Sequence, residues 1–249
     1  MRGLIKRGIR RLGYDISAYP RKQRLPSDCD EFTRRLIGRV RPYTLTSNER
    51  IIALVDSVRY LVAKDVPGAI LECGVWRGGS MLVVAETLLS LGVRDRELVL
   101  CDTFTHMPPP GEKDFTGQAP SPAQGYEAAL ECGAFDYLPF AEVVQLLKST
   151  GYPEDRLRFV QGMVEETLPQ NAPNQLALCR LDTDWYESTR HEMVHLYPRL
   201  SPGGVLLLDD YGCFPGVRLA VDEYLTKEKP GSYLHRIDEC GRLLIKPEN

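Results

Sequence analysis

A chain of 249 residues, 43% hydrophobic and 26% charged, can bury one sizeable core and has the balance of a globular protein. Its formal net charge of -3, from 34 acidic and 31 basic residues, argues against a global attraction to nucleic acid and for a small-molecule partner. The longest apolar runs, such as residues 204–208, fall far short of the roughly 20 residues a membrane helix needs, and the start of the chain lacks the unbroken apolar segment of a secretory signal. No integral membrane contact is expected, and a cytoplasmic location is.

In chain order, residues 1–24 carry eight Lys or Arg and one acid, with Leu4, Ile5, Ile9 and Leu12 at helical spacing, which predicts a short basic amphipathic helix. Its plain reading is a solvated arm or the contact of a homodimer; attraction to an anionic surface or acidic partner is the alternative. Ser47-Asn48-Glu49-Arg50 then reads as a helix start before Ile51, Ile52, Leu54, Val55, Val58, Leu61 and Val62. Short apolar runs recur at 68–73, 98–102, 157–160, 176–181 and 204–208, separated by helix-like stretches at 79–91, 141–149 and 186–197. Such alternation predicts an α/β fold, a largely parallel sheet with helices on both faces. Residues 234–237 and 242–246 flank Asp238-Glu239-Cys240-Gly241, which is hairpin chemistry and predicts an antiparallel end to the sheet. Between 105 and 139, six prolines and several glycines without periodicity predict a lid insertion. The seven cysteines, at 29, 73, 101, 132, 179, 213 and 240, contain no Cys-x-x-Cys pair, and three fall in strand-like runs; reduced core thiols are expected.

Ala69-Ile70-Leu71-Glu72-Cys73 runs into Gly74-Val75-Trp76-Arg77-Gly78-Gly79-Ser80, a buried strand ending in a glycine-rich turn. In an open α/β sheet that is where ligands bind, on backbone that can approach them and on the free N–H groups of the next helix. The spacing fits neither the dinucleotide fingerprint nor the phosphate loop. A cofactor with an amino-acid moiety and no phosphate suits the turn, with Glu72 serving its ammonium group. Asp102, one strand along, is placed to take ribose hydroxyls, and the run through Gly162, Met163 and Val164 to supply walls for an adenine.

Asp182-Thr183-Asp184 follows the fourth apolar run, and residues two apart in extended chain point the same way. Asp209-Asp210 follows the fifth. Four acids at one sheet edge without basic partners call for a divalent cation or a shared proton, and hard oxygen ligands suit Mg²⁺. His191-Glu192-Met193-Val194-His195 matches the pattern of zinc proteases, but the two histidines lie roughly 10 Å or more from the carboxylates along a helix, at about 1.5 Å per residue, and Pro198 follows with no third ligand. That match is read as accidental.

Taken together, Arg41-Pro42-Tyr43-Thr44, the turn from Glu72 to Ser80, Asp102-Thr103-Phe104, the run from Leu181 to Thr189 and the run from Gly203 to Gly212 resemble the macrocin O-methyltransferase family, over about residues 40–228. Members of that family methylate sugar hydroxyls on macrolide and aminocoumarin antibiotics. The resemblance implies a class I S-adenosylmethionine-dependent methyltransferase fold, a seven-stranded sheet with an antiparallel last strand, and an enzyme acting on a glycoside or similar hydroxyl acceptor. It implies S-adenosyl-L-methionine at a site built from Tyr43, Thr44, Glu72, Cys73, Gly74, Val75, Trp76, Gly78, Ser80, Asp102, Thr103, Phe104, Gly162, Met163 and Asp182. It also implies Mg²⁺ on Asp182, Asp209 and Asp210, with Asp184 as general base and Asp182 the other candidate for the proton. Residues 1–46 then divide off as basic arm and cofactor cover, and 47–249 as the catalytic domain. Thr105-His106 departs from the family's usual Glu-Gly, which leaves the acceptor open: a catechol or other vicinal diol would fit the same clamp, and a non-catalytic cofactor-binding protein is the reading from another class.

Overall fold

The computed structural model describes residues 25–115, 122–133, 136–228 and 231–248, so the predicted helix within 1–24 lies outside the described residues. Seven strands, β1 (Ala69–Cys73), β2 (Leu98–Asp102), β3 (Leu157–Gln161), β4 (Leu176–Leu181), β5 (Leu200–Leu208), β6 (His235–Arg236) and β7 (Arg242–Ile245), form one sheet in the order β3-β2-β1-β4-β5-β7-β6. The first five run parallel, and β7 enters antiparallel between β5 and β6. The strand order reverses between β1 and β4, and the crevice at such a switch point is where an open sheet binds its ligand.

Helices α1 (Glu31–Val40), α2 (Asn48–Ala63), α3 (Gly79–Ser90), α4 (Tyr126–Glu131), α5 (Phe140–Lys148), α6 (Val164–Thr167), α7 (Tyr186–Leu196) and α8 (Pro215–Glu228) complete the chain. Strand alternation divides the core in two. Ile70, Leu98, Leu100, Val205 and Leu207 face α1, α2, α3 and α5, whereas Leu71, Cys73, Val99, Leu206 and Leu208 face α6, α7 and α8. Ser47 caps α2 as read from sequence, its Oγ accepting from Arg50 N at 3.1 Å. α1 falls within the stretch assigned to arm and cover, yet its Leu36, Ile37 and Val40 are buried in the same core as β1. β5 starts at Leu200, before the predicted 204, because Gly203 and Gly204 let the strand pass a register shift opposite Leu176 and Leu178.

Cys73, Cys101 and Cys179 are buried strand thiols, as expected. Cys213 and Cys240 are not free: they form a disulfide across 27 residues of chain. The hairpin brings Cys240 beside the loop after β5, where Gly212 N donates to Cys240 O at 2.8 Å, and no short-spaced pair in the sequence announced that contact. Among the described residues no helix is long and apolar enough to cross a membrane.

Candidate active site

The four acids do converge at the carboxyl edge of the sheet, but they do not converge alone. Arg180, next to the carboxyl end of β4, stands opposite Glu72 in the β1–β4 register and reaches the cleft floor with three carboxylates around it. Its Nη1 donates to Glu72 Oε1 and to Asp182 Oδ2, both at 2.7 Å, and its Nη2 to Asp209 Oδ1 at 2.6 Å. From α2, Arg50 pairs with the other oxygen of Asp209 and with Asp238 on the hairpin, 3.0 Å away. The expectation of four acids without basic partners is therefore corrected: an arginine buried in an apolar strand serves two of them, Asp182 and Asp209, and Glu72 besides.

That arrangement sorts the acids. Both oxygens of Asp209 face guanidinium groups, and Thr46 Oγ1 lies 3.3 Å from Oδ1, so the residue expected as a metal ligand is here the centre of an ion-pair network. The group whose ligand atoms lie within 4.8 Å of one another is Asp182, Asp184 and Asp210, with Asp184 where Asp209 was expected. Burial, and then the neighbouring charges of Asp182 and Asp209, push Asp184 well above the usual carboxylate range. Burial, and then Asp184 and Asp182, do the same to Asp210, whose Oδ2 is buried with no hydrogen-bond partner. Asp184 is also held at φ +67, a left-handed backbone that a non-glycine residue keeps only where surrounding structure imposes it.

The cleft above this floor is a cavity of about 330 Å³, within the roughly 300–1,000 Å³ typical of small-molecule sites, opening into a narrower slot of about 60 Å³. Eleven of the expected cofactor residues line one or the other: Tyr43, Thr44, Gly74, Val75, Trp76, Ser80, Asp102, Thr103, Gly162, Met163 and Asp182. Gly74 is required by a close approach, since a Cβ there would sit 1.9 Å from Asp182 O. Gly79 is required by a second close approach, since a Cβ there would sit 2.4 Å from Tyr43 O.

Four expected cofactor residues do not line the cleft. Glu72 is 1% exposed and lies beneath the floor, because Arg180 beside it in register takes its carboxylate. Cys73 is buried among the apolar residues of the opposite sheet face. Gly78, at φ +86, turns the chain into α3 and faces Leu147 and Val143. Phe104 is 3% exposed and packs on Phe140 with ring centroids 4.8 Å apart. Asp102 lines the cleft and also braces it: Oδ2 accepts from Val75 N and Trp76 N at 2.6 and 2.8 Å, and Oδ1 from Phe104 N at 2.7 Å, so it ties the glycine turn to the end of β2.

A family model described as Macrocin-O-methyltransferase (TylF) matches residues 14–245. The chain belongs to the macrocin O-methyltransferase family. The match begins well before the residue 40 at which the sequence resemblance started, and runs on through the terminal hairpin. The chain is 33% identical to Mycinamicin III 3''-O-methyltransferase of Micromonospora griseorubida over 201 residues, 80% of this chain and 76% of that one. It is 35% identical over 211 residues to 8-demethyl-8-(2,3-dimethoxy-alpha-L-rhamnosyl)-tetracenomycin-C 4'-O-methyltransferase of Streptomyces olivaceus, 83% and 78% of the two chains. Among solved structures, the O-methyltransferase NovP superposes with a TM-score of 0.73 at 30% identity, covering 83% of each chain. The protein is an S-adenosylmethionine-dependent O-methyltransferase, and its open sheet with an antiparallel penultimate strand is the class I methyltransferase fold.

The described residues of the 105–139 segment, expected as a lid, are fastened to the rest of the chain. Asp114 Oδ1 accepts from Tyr186 N at 2.8 Å, capping α7, while Trp185 Nε1 donates to Pro108 O and Tyr126 Oη to Met107 O, each at 2.8 Å. Met107 and Tyr137 descend from it into both parts of the cleft. Burial, and then the charges of Asp102, Asp184 and Asp182, raise the Tyr137 phenol, which stays protonated. Arg50, Arg180, Tyr137 and Phe214 are among the site residues that sequence reading missed. Only Arg180 left a signal, as a charge inside an apolar strand. His191 and His195 lie one turn apart on α7 with tilted rings, centroids 4.4 Å apart; His191 Nε2 meets Leu168 O at 3.1 Å and buried Glu192 accepts from Thr183 Oγ1 at 3.0 Å, so these side chains are engaged in packing α7 and do not join the acids of the cleft.

Proposed function

We propose that the enzyme transfers the methyl group of S-adenosylmethionine to a hydroxyl of a sugar or glycoside, with a magnesium-type ion at the carboxylate floor. The observation that carries this reading is an excess of carboxyl groups over basic ones. Glu72, Asp182, Asp184, Asp209 and Asp210 share two guanidinium groups, those of Arg50 and Arg180, and Arg50 also serves Asp238. Such a floor favours cations over water, and it suits both a divalent ion and a sulfonium with its ammonium group. The unpartnered Oδ2 of Asp210 and the convergence of Asp182, Asp184 and Asp210 fit an ion with oxygen ligands. The sugar acceptor is supported by the relatives, one named for 4'-O-methylation of a rhamnosyl-bearing tetracenomycin and another for 3''-O-methylation of mycinamicin III.

Asp182 and Asp210 would hold the ion, with Asp209, which Arg50 and Arg180 already engage, as the third carboxylate beside it, and Asp184 takes the proton. When bound, the ion would orient a hydroxyl pair and lower the pKa of the attacking oxygen. The chain does the rest. Gly74 and the cover from Tyr43 to Thr46 shape the donor's place beside the floor, and the lid residues Met107 and Tyr137 close it from water. Asp184, which burial and its acidic neighbours hold above the usual carboxylate range, would ionise where a bound cation offset those charges, and it is placed to accept the hydroxyl proton as the oxygen–methyl bond forms and the sulfur–methyl bond breaks.

Asp184→Asn tests the division of labour. Turnover is expected to fall by about 10²–10⁴-fold, the size of a general-base contribution, while Mg²⁺ and S-adenosylhomocysteine titrate as in the parent. Loss of Mg²⁺ binding in that variant would make Asp184 a ligand, and undiminished turnover would remove it from the chemistry. A panel of deoxysugar glycosides and catechols, assayed with and without EDTA, tests the acceptor class and the ion.

A further inference from the structure

The hairpin at the end of the sheet is weakly held by its own strands. β6 is two residues long and pairs with β7 through His235↔Leu243 and Arg236↔Arg242, and so short a ladder is marginal by itself. The hairpin tip, residues 238–241, is fastened instead to α2 and to the loop after β5. Asp238 pairs with Arg50 at 3.0 Å and accepts from Ser47 Oγ at 2.5 Å, and Gly212 N donates to Cys240 O at 2.8 Å. The Cys213–Cys240 disulfide, with Cα atoms 5.0 Å apart, ties the tip covalently to the loop that begins with Asp209 and Asp210. Cys240 is also part of the cleft wall. Cys213 and Cys240 are half-buried, whereas Cys29, Cys73, Cys101 and Cys179 are buried free thiols, so the bonded pair is open to a reductant and those four are not.

We propose that this disulfide is a reversible latch on the active site, released by a dithiol reductant. Intact, it keeps Cys240 in the wall and Asp238 against Arg50, which then spans Asp238 and Asp209. In the exchange, a thiolate of the dithiol attacks one sulfur and forms a mixed disulfide as the Cys213–Cys240 bond breaks. The second thiol attacks that mixed disulfide and expels the protein sulfur. Two electrons pass to the protein, the reductant leaves as a disulfide, and Cys213 and Cys240 become thiols with the two protons the dithiol gives up. The tip then keeps its hydrogen bonds and ion pair alone, and a segment with few buried contacts opens locally at low cost. Its lifting removes part of the cleft wall and takes Asp238 from Arg50. The same non-covalent contacts return the thiols to bonding distance, so glutathione disulfide restores the latch by the reverse exchange. The effect on ligand binding rests on the reading of the cleft as the active site; the movement of the tip does not.

The oxidised and the dithiothreitol-treated full chain are compared by iodoacetamide labelling, hydrogen exchange and calorimetric titration with S-adenosylhomocysteine. Without denaturant, reduction is expected to expose the thiols of Cys213 and Cys240 to labelling. It is expected to speed amide exchange in 209–214 and 237–242 by roughly tenfold or more, and to weaken S-adenosylhomocysteine binding by roughly threefold or more. Glutathione disulfide should reverse all three changes. Cys213→Ser and Cys240→Ser should match the reduced chain and ignore dithiothreitol. A bond that yields to dithiothreitol only in denaturant is a static staple and overturns the proposal, as does a reduced chain whose exchange equals that of the oxidised one. Faster exchange with unchanged affinity overturns the coupling of the latch to the site. Failure of both forms to bind S-adenosylhomocysteine overturns the reading of the cleft instead, and is told apart because labelling and exchange still respond.

Discussion

Arg180 does more to set the character of the site than any of the aspartates. Burial alone would lower its affinity for a proton, yet the charges of Asp182, Asp209 and Glu72 hold it well above its ordinary value, so it remains a cation at the centre of an acidic floor. A buried ion pair contributes little net stability when whole and costs about 3–5 kcal/mol when one partner is removed. Arg180→Met is therefore expected to lower the unfolding free energy of the apo chain by about that amount in urea titrations, and added Mg²⁺ is expected to recover part of the loss by neutralising the carboxylates left behind. A stability equal to the parent's would mean that the network carries no such weight. Asp182, Asp184, Asp209 and Asp210 were all legible in the sequence because each follows an apolar run. Their partners were not, because a register decides which arginine meets which acid.

At the scale of elements, the site is made by three close approaches. The backbone of the cover rests on the first turn of α3 at Gly79, the ends of β1 and β4 touch at Gly74, and the hairpin backbone meets Gly212, where a Cβ would lie 1.9 Å from Glu239 O. The Cys213–Cys240 bond lies beside that last contact and joins the loop carrying Asp209 and Asp210 to the hairpin carrying Asp238. Gly79→Ala should push Tyr43 and Thr44 off the turn without touching any acid. The expected result is a loss of about 1–3 kcal/mol of stability, typical of overpacking, together with S-adenosylhomocysteine binding weakened by roughly tenfold, the equivalent of about 1.4 kcal/mol, read by thermal denaturation and calorimetry. Unchanged affinity would show that the cover does not shape the donor site.

For the whole molecule, the buried acids make stability depend on pH in a definite sense. Burial pushes Glu72 up to about 8 from its ordinary 4.5, Arg180 only partly opposing, and Asp184 and Asp210 are pushed up as well. Their folded values lie above the unfolded ones, so the folded chain holds protons that the unfolded chain has released. The stabilisation is complete below about pH 4.5 and is lost as pH rises through about 8. The apo protein should accordingly melt at a lower temperature at pH 8 than at pH 5, in buffers of equal ionic strength. Mg²⁺ at about a hundred times its dissociation constant should add about 2.7 kcal/mol, more at pH 8 than at pH 5, because protons compete for the same oxygens. A melting temperature indifferent to both pH and Mg²⁺ would refute the account of the floor.

The local pattern of the chain determined the alternation of strands and helices, the glycine turn, the hairpin, the aspartates at the strand ends and the family, since each is a property of residues near one another in sequence. Tertiary structure decided the rest. It alone placed Arg180 against Glu72 and Arg50 against Asp209, turned Phe104 and Cys73 into the core, bonded Cys213 to Cys240, and left Asp184 beside Asp182 and Asp210 with fewer basic groups than carboxyl groups. The physical reason is that charge pairing and burial are set by distances through space. A strand end shows in sequence which carboxylates reach the floor, and only the folded sheet determines which of them a guanidinium reaches first.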